Sequence, residues 1–566
     1  MGDVTCERRR AEVVGASFRS ESLAFARIPD LPTLFLDFLS DFEKVADFYR
    51  GGRVLLPPTR EDAAALRERA RQVAARLPDR EELCRVLREQ NARWGASEAT
   101  LKAIGELAEP ETVAIVTGQQ AGLFTGPLLT LYKAWTAIGA ARLLRAWGIR
   151  AVPIFWIHSE DHDLKEVTDC GLLGRDGEWV KVPYPIAPEE EGKPAGAILL
   201  DERADAALAT LLGALPDSEF LPEIEVLLRA AYAKGLSLTD AFARAMARLM
   251  AEEGLVLLDP ADERLKRLTV RVLERIVREW PRVIAAFGAH SERVKARGYR
   301  LQLHPERAGA FLFFLEDGRR RPLIGEGERF TLRDGGKAFT GEELLRELTE
   351  HPARFSPNVA LRPVVQDALL PTLAYVGGPS EIAYFAQLGP VYEACEVPEP
   401  VLCPRASLTL VEPRAAELLA RYGLALTDLF AGVTAVHQRL IERTLEANHA
   451  SLFDEARAAV TEAVRKLRPL LREADPTLDR PLDRAEEAMH RQIEILRQHY
   501  LRARARRDET LARHARRLVL ALAPHGMLQE RAMTVFYFLA RYGDHVARVI
   551  REAIALGNRA HHVLFL

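Results

Sequence analysis

The stretch that decides the fold class reads Val113-Ala-Ile-Val-Thr-Gly-Gln-Gln-Ala-Gly-Leu-Phe-Thr-Gly-Pro127. Its apolar start, Val113 to Val116, has the length of a buried strand, and a glycine-rich loop follows it. Pro127 then opens a helix-like stretch from Leu128 to Trp147, and proline is favoured at the first position of a helix. The stretch therefore predicts a strand, a turn and a helix in succession.

The same pattern recurs along the chain. Three more apolar runs each end in a polar or glycine-rich elbow: Val152–Ile157 before His158–Asp163, Leu255–Leu258 before Asp259-Pro260, and Leu369–Val376 before Gly377–Ser380. Strands that alternate with helices indicate a parallel α/β sheet. Because ligands of such sheets bind outside the carboxyl ends of the strands, we expect all four elbows at one edge.

Composition limits the classes of protein that need to be considered. The 566 residues carry 78 Lys and Arg against 81 Asp and Glu, a net charge of -3, which excludes a globally basic nucleic-acid binder. The start of the chain is charged throughout, and no apolar run approaches a membrane span, so neither a secretory signal nor a membrane partner is expected. We therefore expect a cytoplasmic protein without a nucleic-acid partner.

The spacing of the cysteines indicates neither a disulfide framework nor a zinc-binding motif. They are scattered without a CxxC pair, at Cys6, Cys84, Cys170, Cys395 and Cys403. This argues against disulfide bonding and against a structural zinc site.

The second half of the chain has a different texture. Apolar residues stand three, four or seven apart from Ile441 to Leu467 and again from Leu482 to Tyr500, with Pro476 and Pro481 between the two runs. This spacing predicts an antiparallel coiled-coil arm, and its outer apolar stripe predicts a homodimer. We thus predict four segments: a helical region over 1–110 that packs on the core, an α/β core with insertions over 111–410, the arm over 411–525, and a segment over 526–566 that returns to the core.

The glycine-rich loop is the first candidate site. Its glycines let the backbone approach a ligand, and the helix start behind it offers N–H groups to an anion such as a nucleotide phosphate. A plain strand-to-helix turn is the alternative, since the loop matches neither the Walker pattern nor GxGxxG. The candidate binding residues are Thr117, Gly118, Gln119, Gln120, Thr125, Gly126 and Lys133.

The second candidate is a polar cluster directly after a strongly apolar run. It consists of His158, Ser159, Glu160, Asp161, His162 and Asp163. So dense a cluster at a strand end favours function over a solvated loop. Three uses stay open: a divalent metal site, acid-base catalysis by His158 or His162, and carboxylates that clamp a cationic amine.

The third candidate spans Asn358 to Tyr384. Arg362 stands among apolar residues and suits a carboxylate or phosphate, although an ion pair with a core carboxylate is the alternative. The other candidate binding residues here are Gln366, Gly377, Gly378, Glu381 and Tyr384. A further stretch, Gly298 to His304, alternates like a strand that places Gln302 and His304 on one face.

Read together, these motifs resemble a known family, the bacillithiol cysteine ligases, which add cysteine in bacillithiol biosynthesis. The resemblance covers nearly the whole chain and departs at Ala121 and His158; its motifs are TGQQxGLFTGP from Thr117, FWIxSEDHD from Phe155, RPxVQD from Arg362 and YVGGPxEIAY from Tyr375. It implies an α/β fold with a Rossmann-like parallel-sheet core, inserted helical segments and a long antiparallel coiled coil that forms a dimer. It also implies the last pathway step, which joins the carboxyl of cysteine to the amine of glucosaminyl-malate.

The resemblance suggests roles for the candidate residues. Glu160, Asp161 and Asp163 would bind the cationic amines, and His162 would take the proton of the attacking amine. The malate carboxylates would meet Arg362, Lys133 and the helix start at Gly126–Pro127. Activation of the carboxyl would use ATP or another nucleotide with Mg²⁺, although no HIGH or KMSKS signature is present.

Two other classes of function compete with the ligase. One is a metal-dependent hydrolase built on His158 and His162 with Asp161 or Asp163. The other is a non-catalytic coiled-coil scaffold, which would not need an intact polar pocket at the strand ends.

Overall fold

The structure is a computed structural model that describes residues 18–76, 79–327, 329–333, 335–444, 447–505 and 509–566. It divides into a core unit, which ends at Leu410 and resumes over Glu530–Leu566, and an arm unit, Val411–Gln529. Three of the four predicted segments thus contribute to one core unit. Cys6 and the first part of the predicted 1–110 region lie outside the described residues.

The described strands and helices alternate through most of the core unit. The strands are β1 (Arg19–Leu23), β2 (Val113–Gln119), β3 (Ala151–Ile157), β4 (Asp169–Leu173), β5 (Trp179–Pro183), β6 (Val256–Leu258), β7 (Leu312–Glu316), β8 (Arg319–Glu326), β9 (Arg329–Leu332), β10 (Ala338–Thr340), β11 (Phe355–Pro357), β12 (Thr372–Gly377), β13 (Val401–Pro404), β14 (Ser407–Val411) and β15 (His561–Phe565). The α-helices are α1 (Thr33–Ser40), α2 (Arg60–Ala74), α3 (Arg80–Arg93), α4 (Glu98–Ala108), α5 (Leu129–Ala146), α6 (Glu202–Ala214), α7 (Leu221–Ala231), α8 (Leu238–Leu249), α9 (Glu263–Ala296), α10 (Gly341–Glu350), α11 (Arg362–Leu369), α12 (Pro379–Phe385), α13 (Gly389–Cys395), α14 (Pro413–Tyr422), α15 (Leu426–Leu429), α16 (Gly432–Thr444), α17 (Ala447–Ala474), α18 (Asp479–Ala505), α19 (Glu509–Leu522), α20 (Phe536–Tyr542) and α21 (Asp544–Ile554).

A five-stranded parallel sheet forms the centre of the core unit, in the order β13-β12-β2-β3-β6. The predicted Rossmann-like α/β class is confirmed, and all four predicted strands belong to this sheet. The fifth, β13, was not predicted. Because the chain runs outward from β2 to β3 and β6 on one side and from β12 to β13 on the other, the strand order reverses between β2 and β12. A crevice is expected at such a switch point.

Small residues let helices pack closely on the sheet. Ala137, Ala140 and Ala141 of α5 belong to one buried apolar cluster with Val113 and Ile115 of β2. Ala70 and Ala74 of α2 belong to the same cluster. Burial of these apolar side chains stabilises the sheet and fixes the direction in which its strand ends face.

A second sheet is inserted between α9 and α11, in the antiparallel order β10-β9-β8-β7-β11. The sequence predicted inserted helices but not this sheet. It also predicted a strand over Gly298 to His304, and that prediction is wrong, because residues 299–304 form a loop. The N–H groups of Gln302 and Leu303 both donate to Oε1 of the buried Gln387, at 3.1 and 3.0 Å, so a side chain satisfies them instead of a neighbouring strand.

A buried ionic network holds the C-terminal segment to the core unit. Glu530 is fully buried, and its carboxylate lies 2.6 Å from the Arg405 guanidinium. It also accepts hydrogen bonds from the Ser407 hydroxyl and the Leu408 N–H, both at 2.9 Å. Nearby, β15 lies between β1 and β14 in a small sheet.

The arm unit contains the predicted antiparallel helix pair, α17 and α18. Arg468 of α17 pairs with Asp483 of α18 at 2.7 Å, and Phe453 contacts Tyr500 with ring centroids 5.8 Å apart. Val464 and Leu482 are buried in this unit. Other apolar residues of the two helices are exposed, namely Leu452, Leu467, Leu470, Met489, Ile495 and Leu496.

Among the described residues, no helix has both the length and the apolar character needed to cross a membrane. The four described cysteines, Cys84, Cys170, Cys395 and Cys403, are buried and free.

We predict that Glu530→Ala strongly destabilises the core unit. Removing one partner of a buried ion pair leaves the other charge uncompensated, which costs about 3–5 kcal/mol. The free energy of unfolding from urea denaturation measures the effect. The control is Glu68→Ala, which removes an exposed pair with Arg71 and should change stability by at most about 0.5 kcal/mol. Equal effects of the two substitutions would contradict the prediction.

Candidate functional site

A cavity of about 640 Å³ opens at the carboxyl edge of the parallel sheet, beside the ends of β2 and β12. Residues from all three candidate motifs line it: Gln119, Gln120, Lys133, His158, Glu160, Asp161, His162, Arg362, Gly378, Glu381 and Tyr384. The elbows thus meet at one edge, as the strand pattern indicated. The other candidate residues do not line the cavity, and each has a structural partner or position instead.

The second half of the glycine-rich loop is one such structural element. Thr125 is buried, and its N–H donates to the Tyr232 hydroxyl at 3.0 Å. Gly126 takes a φ of 68°, a left-handed conformation that favours glycine. The N–H of Leu128, which we expected to face an anion, donates to the Met533 carbonyl at 2.9 Å. The C-terminal segment therefore takes one donor of the predicted anion site at the Gly126–Pro127 helix start, while Leu129, the first residue of α5, lines the cavity.

The first residues of the loop, Thr117 and Gly118, hold the end of β2 in place beside the cavity. The Thr117 hydroxyl donates to the Val376 carbonyl at 2.9 Å, which joins β2 to β12. Gly118 has no room for a side chain, since a Cβ would lie 2.7 Å from the Trp156 carbonyl and 2.9 Å from His158 Nε2. The two residues position the elbow without lining the cavity.

Four other predicted binding or catalytic residues also lie outside the cavity lining. Ser159 is buried and hydrogen-bonds to Asp259, whose pKa is raised by burial. The Asp163 side chain is exposed. Gln366 is buried beneath Arg362, and the Gly377 carbonyl accepts the Arg405 N–H at 2.8 Å.

A buried ion pair spans the switch point. Lys133 Nζ, on α5, lies 2.5 Å from the Glu381 carboxylate on α12. It also donates to the Gly118 carbonyl at 2.7 Å and to Gln119 Oε1 at 2.9 Å. Burial lowers the pKa of Lys133, and Glu381 opposes that shift. Burial raises the pKa of Glu381, but Lys133, the Tyr375 hydroxyl and the Gly378 N–H together hold it below its usual value. Lys133 is therefore already neutralised.

Arg362 lacks such a partner. Its guanidinium donates to Gln366 Oε1 at 2.9 Å and to the Tyr384 hydroxyl at 3.2 Å, and it lies 5.8 Å from the centre of the Tyr375 ring. Among the described residues, no carboxylate lies within 4.0 Å of it. The alternative of a structural ion pair for Arg362 therefore does not hold, and the cation is left for an anionic ligand.

The three acidic residues of the cluster, Glu160, Asp161 and Asp163, have different partners. Glu160 forms an ion pair with Lys266 at 2.5 Å. Asp161 accepts a hydrogen bond from Gln120 Nε2 at 2.8 Å, and about a third of its side chain remains exposed. The Asp163 N–H donates to Asp161 at 3.2 Å. Asp161 thus lines the cavity without a lysine beside it, and Arg320 lies 3.7 Å from its carboxylate.

The two histidines of the cluster are held neutral. Burial, together with the cations Arg362, Lys133 and Arg320, places the pKa of His158 well below its usual value. His158 Nε2 is buried and finds no hydrogen-bond partner within the described part of the chain. Burial and Arg320 also lower the pKa of His162, against the opposing charges of Asp161 and Asp163.

Sequence reasoning missed much of the opposite wall of the cavity. Arg320 and Phe313 come from the inserted sheet, and Arg307 follows the loop that was predicted as a strand. Gln302 and His304 were noticed, but the supposed strand gave them no role. Arg531 lies in the C-terminal segment that the family resemblance pointed to. The signal available for Arg320 was the run Arg319-Arg-Arg321, which also suits an exposed strand.

The polar cluster that the hydrolase alternative would use is engaged with cations. Nowhere in the described ranges do three or more His, Cys, Asp or Glu side chains come together in a way that could hold a metal ion. Glu160 instead pairs with Lys266, and His162 contacts Arg320.

Comparisons with known proteins agree with this architecture. The model of the bacillithiol biosynthesis BshC N-terminal Rossmann-like domain matches residues 19–406, and that of the C-terminal coiled-coil domain matches residues 408–566. A protein of Salinibacter ruber named "Putative cysteine ligase BshC" is 36% identical over 97% of this chain and 98% of its own length. Proteins with the same name from Koribacter versatilis and Geobacillus thermodenitrificans are 35% and 34% identical, over 92% and 90% of this chain and 95% and 94% of their own lengths. The chain therefore belongs to the bacillithiol biosynthesis BshC family of cysteine ligases.

Proposed function

We propose that the protein joins the carboxyl group of L-cysteine to the amine of glucosaminyl-malate and so forms bacillithiol. The observation that carries the proposal is the charge pattern of the cavity. Arg362 is a cation without a carboxylate partner among the described residues, and Asp161 is a carboxylate in the same cavity with about a third of its side chain exposed. A substrate that carries both an amine and two carboxylates complements this pattern. A non-catalytic scaffold would have no need of it.

The anion end of the cavity consists of arginines. Arg362 can grip a malate carboxylate with two parallel hydrogen bonds. Arg307 also lines the cavity, and it too has no carboxylate within 4.0 Å among the described residues. Lys133 does not belong to this set, because Glu381 and the backbone of the glycine-rich loop use its charge and its donors.

The amine end centres on Asp161. This residue lines the cavity, and Gln120 and the Asp163 N–H each donate a hydrogen bond to its carboxylate. Arg320 lies 3.7 Å from the same carboxylate. A carboxylate so placed can bind an ammonium group and can accept a proton from it. Glu160 also lines the cavity, but Lys266 neutralises its charge.

Amide formation in water needs an activated carboxyl group, and a bound nucleoside triphosphate would supply this activation. The arginines of the cavity fit its phosphates. At the start of α5 the Met533 carbonyl takes the Leu128 N–H, whereas Leu129 lines the cavity. No part of the described chain presents three or more His, Cys, Asp or Glu side chains to a metal. Mg²⁺ would enter with phosphate oxygens among its ligands.

The decisive experiment is direct synthesis. Purified protein is incubated with cysteine, glucosaminyl-malate and each candidate nucleotide in turn, with Mg²⁺, and bacillithiol is detected by its mass. Reactions without cysteine or without protein are the controls. Absence of bacillithiol with every nucleotide would contradict the proposal.

We predict that Arg362→Met lowers kcat/KM on the order of 100-fold, mostly through KM for glucosaminyl-malate, because charged hydrogen bonds contribute about 1.5–3 kcal/mol each. Arg362→Lys should retain part of the affinity, since lysine keeps the positive charge but cannot donate two parallel hydrogen bonds to a carboxylate. The control is Arg300→Met at an exposed position outside the cavity lining. An unchanged KM in Arg362→Met would show that this residue does not hold the malate carboxylates.

We predict that Asp161→Asn loses activity on the order of 100-fold while the protein stays folded, because asparagine keeps a partner for Gln120 but loses the charge that binds the amine. The matched control is Asp163→Asn, two residues away and outside the cavity lining, which should keep full activity. Thermal melts of both variants, beside the synthesis assay, separate activity from stability. Equal activity in the two variants would remove Asp161 from the proposed site.

We also propose that the protein is a homodimer formed through its coiled coil. Leu452, Leu470 and Leu496 of the arm unit are exposed by 59, 63 and 62%. Apolar side chains on a long helix pair are covered most simply by the same surface of a second copy.

We predict that replacing Leu470 and Leu496 by Lys gives a monomer of 63.2 kDa, whereas the wild type has twice that mass. Both positions are exposed, so folding should persist. Light scattering at micromolar concentration makes the measurement. The control is Val226→Lys, at an equally exposed position of the core unit, which should remain dimeric. A wild-type mass of 63.2 kDa would refute the dimer.

A further inference from the structure

Arg320 reaches the cavity from outside the parallel sheet. It lies on β8 of the inserted antiparallel sheet, and only 10% of its side chain is exposed. Neither the candidate motifs nor the resemblance gave it a role. It is nevertheless the arginine that contacts the polar cluster after β3.

The inserted sheet fixes the plane of this guanidinium. Its Nε donates to the Ser356 hydroxyl at 2.8 Å, and its Nη2 donates to the Pro357 carbonyl at 2.6 Å. The guanidinium carbon lies 3.8 Å from the centre of the Phe313 ring. These contacts from β7 and β11 leave Nη1 directed at the polar cluster.

Nη1 lies 3.1 Å from His162 Nδ1 and 3.7 Å from the Asp161 carboxylate. A guanidinium has only donors, so the ring nitrogen that faces it must present a lone pair. The proton of the neutral imidazole then sits on Nε2. The other groups around the ring are Asp161, 3.9 Å from Nδ1, Asp163, and the Phe313 ring at 5.3 Å.

We propose that Arg320 is a positioning residue that holds His162 as the neutral Nε2–H tautomer, so that His162 donates a hydrogen bond to the reacting carbonyl instead of taking a proton. The proposal rests on the proposed ligase function. As the amine lone pair forms the C–N bond, the C=O electron pair moves to oxygen, and a fixed donor stabilises that charge. The pair then returns to re-form the C=O bond, the bond between the carbonyl carbon and the activating group breaks, and that group leaves with its electron pair. The amine proton passes to the Asp161 carboxylate.

This assignment opposes the role that the resemblance implied for His162. A general base needs a free lone pair, and Arg320 occupies the one on Nδ1 while Nε2 carries the proton. The two roles predict opposite effects of removing Arg320. Loss of the guanidinium would free Nδ1 and let Asp161 and Asp163 raise the pKa of His162. If His162 is a general base, this change would help it; if His162 is a fixed hydrogen-bond donor, the change would impair it.

The first test needs no substrate. The full-length protein is labelled with ¹⁵N-histidine, and the His162 signals are assigned from their loss in His162→Gln. In the wild type we expect the neutral Nε2–H tautomer at pH 7 and above. In Arg320→Gln we expect a mixture of tautomers and a midpoint of titration at higher pH. A wild-type Nδ1–H tautomer, or no change in Arg320→Gln, would overturn the proposal.

The second test is kinetic. Arg320→Gln should lower kcat between 10- and 100-fold with KM changed less than about threefold, the pattern of an interaction made mainly in the transition state. A rate at pH 7–8 that holds or rises would overturn the proposal and favour the general base. The matched control is Arg319→Gln, at the exposed neighbouring position, which should match the wild type in both tests.

Two further results keep the outcomes separate. If Arg320→Gln does not fold, Ser356→Ala is tested instead, because it removes only the hydrogen-bond partner of Arg320 Nε. We expect this variant to lose kcat several-fold and to show a partial change of the His162 tautomer. Wild-type behaviour of Ser356→Ala would overturn the proposal. Should the wild type form no bacillithiol, the proposed function fails, while the NMR experiment still decides whether Arg320 sets the state of His162.

Discussion

The buried ion pair between Lys133 and Glu381 is the interaction on which the site depends. It joins the first helix of the parallel sheet to the elbow after β12, across the point where the strand order reverses. Two buried charges are tolerated only when their remaining donors and acceptors are also satisfied. The Gly118 carbonyl and Gln119 complete the shell of Lys133, and Tyr375 and the Gly378 N–H complete that of Glu381. Both elbows are thereby fixed in relation to each other.

This constraint decides which groups remain for substrates. Since Lys133 is neutralised, the cation available at the switch point is Arg362, and Asp161 is a carboxylate that lines the same cavity. The inserted antiparallel sheet then adds Arg320, which contacts Nδ1 of His162 and leaves Nε2 as the ring nitrogen that can face a substrate. The parallel sheet provides the edge, and the insertion provides part of the chemistry.

Much of this could be anticipated from local patterns. The four strand-and-elbow units, the helix after Pro127 and the helix pair of the arm all follow from periodicity and from proline and glycine positions. The convergence of Gln119, Asp161, Arg362 and Gly378 on one cavity follows from the geometry of parallel strands. The alternation from Gly298 to His304 predicted a strand wrongly, because alternation is a local signal. The buried Gln387, which accepts hydrogen bonds from the Gln302 and Leu303 N–H groups, is 85 and 84 positions away from them.

The sequence by itself thus determined the class of fold and the set of polar groups at the sheet edge, because strand, turn and helix signals lie within a few residues of one another. Only the tertiary structure decided which of those groups are free to act. The Met533 carbonyl accepts the Leu128 N–H at the helix start, Lys266 pairs with Glu160, and Arg320 contacts His162. Each of these partners comes from a distant segment, and a hydrogen bond or ion pair forms wherever folding brings donor and acceptor together, whatever their separation along the chain.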